Sequence, residues 1–187
     1  MSAAAIEKCL EHNLNEGAII VKYSHIDKLE KIRQFEAGHP VPDENTLKYT
    51  KPLLGIAKKA TKNDLVIILV TGGGSALLES LPEEISLDEL AETNRLLLGC
   101  GAAIQEINTI RKHISNIKGG KLAKIAFTAT MITLIISDVI NDSIDVIGSG
   151  PTVNDTTTFY NAMEVIDKYK LRNNISKNLI KIIRQSL

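Results

Sequence analysis

The chain of 187 residues carries 22 basic and 22 acidic side chains, so its formal charge at pH 7 is zero. This balance excludes a global electrostatic field that would recruit nucleic acid or an acidic membrane. An apolar content of 44% and a charged content of 24% are typical of a folded globular domain rather than a disordered one.

Signals for helix and strand alternate in the first part of the chain. Apolar residues at helical spacing predict a helix at the amino terminus, and two short runs after it predict strands. The predicted bounds are residues 2–14 for the helix and residues 18–22 and 33–37 for the strands. Pro40 and Pro42 exclude a helix from the segment that follows, because proline lacks an amide donor and favours an extended predecessor.

A long helix is predicted after this proline segment. Asp43 can cap its amino terminus, and apolar residues such as Leu54 extend the helical pattern to about Ala60. Pro52 lies in the middle, where the missing donor and the steric clash of the ring predict a kink or a break.

The end of the next apolar run carries the strongest functional signal. Residues 65–71 read Leu-Val-Ile-Ile-Leu-Val-Thr, which predicts a strand buried in a parallel sheet, and Gly72, Gly73, Gly74 and Ser75 follow it. Glycine amides can approach a ligand closely, and ligands of open α/β sheets bind outside the carboxyl ends of strands. Phosphate or nucleotide binding is therefore our first hypothesis. The motif lacks the lysine of a Walker loop and the third glycine of a dinucleotide fingerprint, so a tight turn without a ligand is the alternative.

The rest of the chain continues the alternation of helices and strands. Ser86 and Glu89 form a capping box for a helix that ends at Gly99 or Gly101. The further predicted elements are a helical segment over 102–122, a strand over 131–136 and helices over 156–168 and 175–183. This alternation predicts a layered α/β fold with a parallel sheet in a single domain.

Positive charge is concentrated in the helical segment after residue 102. Arg111, Lys112 and Lys118 precede the paired Gly119 and Gly120, whose open backbone could contact an anion closely. Charge runs on helices are usually solvated, so an exposed helix face is the alternative interpretation.

One carboxylate and two histidines are further candidate functional residues. Asp138 follows the strand predicted over 131–136, a position where a carboxylate could hold Mg²⁺ for phosphoryl transfer, or could instead act as a cap or salt-bridge partner. His39 and His113 could be ligands or bases, but neither has a carboxylate or cysteine at metal-ligand spacing, which favours structural roles.

The cysteines and the apolar runs indicate a cellular compartment. Cys9 and Cys100 lie far apart without metal-ligand spacing, which predicts buried thiols in a reducing compartment. No charged-then-apolar leader opens the chain, and no apolar run approaches the roughly 20 residues of a membrane helix. We therefore expect a cytoplasmic protein with no membrane or nucleic-acid partner.

Six motifs occur along the chain in a recognisable order. They are EAGHPVPD (36–43), GGGSALL (72–78), EINTIRKH (106–113), IKGGKLA (117–123), SDV (137–139) and SGPT (149–152). In this order they resemble the glycerate 2-kinase family, whose members also carry the older name hydroxypyruvate reductase. The resemblance runs from about Gly17 to about Leu171.

The resemblance implies a Rossmann-like, layered α/β/α domain with a mostly parallel sheet. It also implies phosphorylation of D-glycerate to 2-phosphoglycerate with ATP and Mg²⁺, in a cleft shared with a smaller C-terminal domain. By resemblance Arg111, Lys112 and Asp138 are catalytic, and Asp138 is also the metal ligand. The residues expected to bind substrate or nucleotide are Gly72, Gly73, Gly74, Ser75, Asn108, Lys118, Gly119 and Gly120.

The chain also departs from the family pattern. Family members usually carry a glycine-lysine-alanine segment, whose lysine is regarded as catalytic, upstream of the position of Met1, and their C-terminal domain lies beyond Leu187. Asn141 and Gly148 stand where the family usually has glycine and alanine, which are tolerable changes. We therefore expect a partial kinase with little activity alone, which forms a homo-oligomer or pairs with a missing C-terminal half. An oxidoreductase that uses a nicotinamide cofactor and a non-catalytic binding fragment are the alternatives.

Overall fold

The computed structural model describes residues 2–137 and 143–185. Its helices are α1 (Ser2–Leu10), α2 (Glu44–Lys59), α3 (Gly74–Leu77), α4 (Leu87–Gly99), α5 (Ile104–Ile114), α6 (Lys121–Ile125), α7 (Phe159–Lys168) and α8 (Lys177–Gln185). Its strands are β1 (Gly17–Lys22), β2 (Ile32–Ala37), β3 (Leu65–Thr71) and β4 (Thr130–Ile136).

The strands pair in parallel, as the alternation of helices and strands predicted. β1 pairs with β2 from Gly17 opposite Ile32, and β3 pairs with β4 from Leu65 opposite Thr130. The α/β class is thus confirmed, although the described strands form two separate pairs rather than one continuous sheet. Helix α2 connects the two pairs and packs on β1 and β2.

Capping side chains set the starts of the long helices where the sequence predicted them. The Asp43 carboxylate accepts a hydrogen bond of 3.0 Å from the Thr46 amide at the start of α2, and the Ser86 hydroxyl accepts one of 3.1 Å from the Glu89 amide at the start of α4. Each cap satisfies a donor that a helix leaves unpaired at its first turn.

The structure corrects the end of the first helix and the extent of the basic helical segment, and it shows no break at Pro52. The first helix ends at Leu10 and gives way to a 3₁₀ turn over Glu11–Asn13. Helix α2 continues through Pro52 without a break, since packing against β1 and β2 outweighs the local cost of the proline. The basic segment is not one helix, because α5 ends at Ile114 and Ser115 takes an extended conformation.

The main core lies between α4, α5, α7 and α8. Its largest fully buried side chains are Leu90, Leu97, Ile107, Ile110, Ile114, Ile166, Leu179 and Ile183. A smaller cluster of Ala57, Leu122 and Ala126 lies under β3 and β4. The main core therefore anchors α5, the helix that carries Asn108, Arg111 and Lys112.

One face of β4 stays apolar and exposed. Ile132, Leu134 and Ile136 alternate along it and are 44–58% exposed.

Both cysteines are also exposed, so the expectation of buried thiols is wrong. Cys9 lies on α1, which has no buried residue, and Cys100 lies at the carboxyl end of α4. Within the described ranges, no helix is long and apolar enough to cross a membrane.

The contact between α5 and α7 should weaken in acid. Glu106 on α5 accepts hydrogen bonds from Lys168 (2.6 Å) and Tyr169 (2.7 Å), which lower the pKa of its carboxyl from 4.5 to about 2. Because the folded-state pKa is depressed, the stabilisation is present above the unfolded-state pKa and is lost as the pH falls towards about 2. Urea titrations should therefore show the stability difference between the native chain and Glu106→Gln narrowing over this range. The exposed Glu164→Gln on α7 is the control, and a constant difference would contradict the assignment.

Candidate functional site at the strand ends

Segments that follow three parallel strands meet at one place in the structure. His39 follows β2, the loop Gly72–Ser75 follows β3, and a 3₁₀ turn over Ile147–Ser149 comes after β4. A Cβ placed on Gly73 would lie 2.4 Å from Nε2 of His39, and the hydroxyl of Ser75 lies 2.8 Å from that of Ser149. This is the end of the strands where ligands of α/β sheets bind.

The glycine loop needs glycine at its centre for two reasons. Gly73 has a φ of +78°, in the left-handed region that side chains with a Cβ rarely adopt. Its missing Cβ also leaves room for the imidazole of His39. The short helix α3 starts directly after it, and the Ala76 amide donates to the Gly73 carbonyl at 3.2 Å.

A chain of polar side chains, two of them buried, joins the loop to α5. The hydroxyl of Ser149 donates to Oδ1 of Asn108 at 3.0 Å and lies 2.8 Å from the hydroxyl of Ser75. Ser149 is fully buried and has a φ of +62°, which is unusual for a residue other than glycine. Such strain is retained where the surroundings hold it, and it is common at functional sites. Ser75 and Asn108, which both belong to the predicted site, are thus brought together through Ser149.

Lys118 lies inside the protein, in the loop between α5 and α6. Its residue is 1% exposed, and its ammonium contacts the Glu79 carboxylate at 2.5 Å and the carbonyls of Ser75 and Leu78 at 3.0 and 3.1 Å. Burial lowers the pKa of Lys118, and the Glu79 carboxylate opposes that effect. All three ammonium hydrogens therefore have protein acceptors, and two of these acceptors belong to the segment that follows the glycine loop.

Gly119 and Gly120 hold the turn that carries Ser149. Both have positive φ values, of +60° and +80°. Their amides donate to the carbonyls of Ser149 (3.1 Å) and Gly150 (2.8 Å), so each has an acceptor within the protein. A Cβ on Gly119 would lie 3.1 Å from that of Asp155, which shows how closely the segments pack. The described contacts of these glycines are with the Ser149 turn and with the segment that includes Val153 and Asp155.

Lys112 is also buried and lies between two carboxylates. Its ammonium is 3.1 Å from Oδ2 of Asp145 and 3.6 Å from Oδ1 of Asp155. The Asp145 side chain is 44% exposed, so this pair reaches the surface, and the hydrogen bond from Lys112 lowers the pKa of Asp145 against the opposing effect of burial. The alternative of a solvated basic helix face is therefore wrong for Lys112 and does not hold for Lys118.

Arg111 lies on the side of α5 that contacts α4. Its Nε donates to Oδ1 of Asn94 at 2.8 Å, and burial lowers its pKa while the charge of Glu79 opposes this effect. His113 is buried with Nδ1 2.8 Å from the carbonyl of Thr109, and burial lowers its pKa. The imidazole of His113 is packed edge-on against Phe159, consistent with the structural role predicted for it.

Asp138, the predicted metal ligand, lies outside the residues that the structure describes, in the segment 138–142. Among the residues that are described, no three histidine, cysteine, aspartate or glutamate side chains are grouped to hold a metal ion. Glu79, Asp145 and Asp155, the carboxylates beside the predicted cations, each face a lysine.

Sequence reasoning missed the residues that pair with the predicted ones. Glu79 directly follows the motif 72–78. The only sequence feature that could have identified it is its position as an acidic residue after two leucines. Ser149 belonged to a quoted motif but received no role. No sequence feature pointed to Asp145 or Asp155, because their role depends on contact with Lys112, which is distant in sequence.

Comparison with known proteins agrees with the predicted resemblance. The chain is 51% identical over 170 residues to a glycerate 2-kinase of Pyrococcus horikoshii, which covers 90% of this chain and 38% of that protein. It is 43% identical over 170 residues to a D-glycerate 2-kinase of Thermotoga maritima, with coverages of 90% and 40%. The chain thus spans about two fifths of the length of these curated relatives.

A solved structure of a glycerate kinase has the same fold as this chain. The crystal structure of a glycerate kinase from Thermotoga maritima superposes with a TM-score of 0.92 at 40% identity, covering 98% of this chain and 44% of that one. The resemblance to glycerate 2-kinases is therefore confirmed. A family model described as a domain of unknown function (DUF4147) matches residues 1–184, and the chain belongs to that family.

Proposed function

We propose that this chain forms part of the active site of a glycerate 2-kinase, which transfers a phosphoryl group from ATP to the 2-hydroxyl of D-glycerate. The observation that carries the proposal is the meeting of His39, the loop Gly72–Ser75 and Ser149 at the strand ends, in a chain that is similar over 90% of its length to such kinases. Phosphoryl transfer depends on positioning and on electrostatic stabilisation, which a rigid loop beside buried cations can supply.

The predicted site residues divide into two roles under this proposal. The amides of the loop Gly72–Ser75 face substrate or phosphate, and Lys112 and Arg111 supply positive charge behind it. Lys118 and Asn108 position the loop, through the carbonyl of Ser75 and the hydroxyl of Ser149. Gly119 and Gly120 keep Ser149 in place through their amides.

ATP and Mg²⁺ are proposed as co-substrate and metal. Mg²⁺ is usually held by one or two carboxylates together with substrate phosphates, so it does not need a preformed protein cage. The half-exposed Asp145 fits that requirement, although it already contacts Lys112. Asp138 stays a prediction as the second carboxylate.

We also propose that the full activity requires more protein than this chain. Its relatives are about two and a half times as long, and the exposed apolar face of β4 would suit a covering segment or a second copy. A cytoplasmic location is proposed because both cysteines are free.

A chimera tests the function directly. This chain should replace the matching segment of the Thermotoga maritima D-glycerate 2-kinase and retain formation of 2-phosphoglycerate from ATP and D-glycerate, measured by ³¹P NMR. The isolated chain should show little turnover. Lys112→Met in the chimera should lower the rate about 100-fold or more, because the proposal assigns to Lys112 part of the positive charge that stabilises the transition state. The exposed Lys58→Met is the control.

The same chimera separates the alternatives. Oxidation of NADH by hydroxypyruvate, without formation of ADP, would favour the oxidoreductase. A folded chimera without either activity would leave the non-catalytic binding fragment and contradict the proposed kinase. Rapid turnover by the isolated chain would show that no further protein is required.

A further inference from the structure

We propose that His39 binds an anionic oxygen group of the substrate, a carboxylate or a phosphate, at the edge of the glycine loop. This inference deepens the proposed kinase function and rests on it. The sequence left His39 open as a ligand or base, although the absence of metal-ligand spacing favoured a structural histidine.

The first observation is the contact between His39 and Gly73. The ideal Cβ position on Gly73 lies 2.4 Å from Nε2 and 3.0 Å from Cδ2 of His39, so the imidazole occupies the space that a side chain on Gly73 would need. The ring therefore lies against the middle of the loop predicted to face phosphate. Two strand-end segments, after β2 and after β3, meet at this contact.

The second observation is that the segment carrying His39 is braced. A Cβ on Gly38 would lie 2.5 Å from the carbonyl of Val41 and 3.0 Å from Cγ of Asp43. Asp43 caps α2 and accepts a hydrogen bond of 2.5 Å from the Tyr23 hydroxyl. The imidazole is thus presented from a fixed backbone, which lowers the entropic cost of binding a ligand.

The third observation is that the ring of His39 is available. His25 and His113 place Nδ1 at 2.9 and 2.8 Å from the carbonyls of Tyr23 and Thr109. His39 is exposed, and across residues 2–137 and 143–185 no hydrogen bond or ion pair engages its ring. Because the exposed ring has no protein partner among the described residues, it can donate a hydrogen bond to a ligand without breaking one in the protein.

The chemistry of the site selects an anion. An imidazole donates a hydrogen bond in its neutral form and two in its protonated form. Lys118 donates to the carbonyl of Ser75 and faces Glu79, and Lys112 faces Asp145, so both buried ammonium groups are engaged by protein acceptors. His39 would therefore supply a side-chain donor where the two buried lysines are already occupied by carboxylates.

Histidine NMR of the 187-residue chain tests the assignment without requiring turnover. The chain has four histidines, so their ring signals can be assigned by substitution. D-Glycerate, inorganic phosphate and ATP are titrated separately, and the probe that shifts the His39 signals identifies carboxylate or phosphate. The signals of His25 should stay in place.

A matched pair of variants gives the affinity. His39→Ala should weaken binding of the effective probe about 10-fold or more in calorimetry, because a hydrogen bond to a charged group is lost. His25→Ala should bind as the native chain does, and thermal unfolding should show that both variants fold.

The outcomes separate this inference from the proposed function. If a probe binds but neither the His39 signals nor the affinity of His39→Ala changes, the inference fails and the proposed function stands. If the chain binds none of the three probes, the inference is overturned and the proposed function loses support with it.

Discussion

Replacing Lys118 with Met should lower the free energy of unfolding by about 3–5 kcal/mol, because the substitution leaves a buried carboxylate without its cation. The side chains of Lys118 and Glu79 are each 2% exposed, and their charged atoms are 2.5 Å apart. The loss includes the hydrogen bonds to the carbonyls of Ser75 and Leu78, so the end of α3 should loosen as well. Urea unfolding followed by circular dichroism measures the change.

Two comparisons make this result specific. Lys118→Met combined with Glu79→Leu should recover part of the lost stability, since no unpaired charge is then buried. Arg95→Met breaks an exposed pair with Glu92 and should cost about 1 kcal/mol or less. Equal effects of Lys118→Met and Arg95→Met would show that the pair is not buried as described.

Ile110→Ala should cost about 2–5 kcal/mol, because it removes a fully buried side chain from the centre of the main core and leaves a cavity. The effect reaches the site, since Ile110 lies next to Arg111 on α5, the helix that positions Asn108 and Lys112. Chemical unfolding gives the stability change, and calorimetry with D-glycerate or ATP shows whether binding weakens with it.

Ile104→Ala on the same helix supplies the control. Ile104 is 47% exposed, so its truncation should change the stability by only about 0.5 kcal/mol. A loss from Ile104→Ala as large as that from Ile110→Ala would contradict the position of α5 in the core.

Local signals predicted the elements well where one physical cause dominated. The apolar run over 65–71 became β3, and the carboxylate of Asp43 and the hydroxyl of Ser86 capped α2 and α4 as expected. These features depend on residues within a few positions of one another. Pro52 was different, because contacts of α2 with distant strands outweighed its local preference.

Prediction was less successful for the roles of the cations. Lys118 was placed on a helix with its charge directed at an anion, but the helix ends at Ile114 and the ammonium faces Glu79. The ammonium of Lys121 helps to end α5, because it donates hydrogen bonds to the carbonyls of Lys112 and Ser115 at 2.7 and 2.5 Å. Helical spacing of isoleucines cannot reveal such a capping side chain, because it acts from beyond the helix.

The sequence by itself determined the α/β class, most of the elements, the glycine loop and the similarity to glycerate 2-kinases, because each depends on short runs of residues or on motifs in order. Only the tertiary structure decided which side chains act together: Ser75 meets Ser149, His39 meets Gly73 and Lys118 meets Glu79. The physical reason is that the burial and the charge of a side chain depend on partners brought next to it by chain folding, and those partners lie up to 74 residues away in sequence.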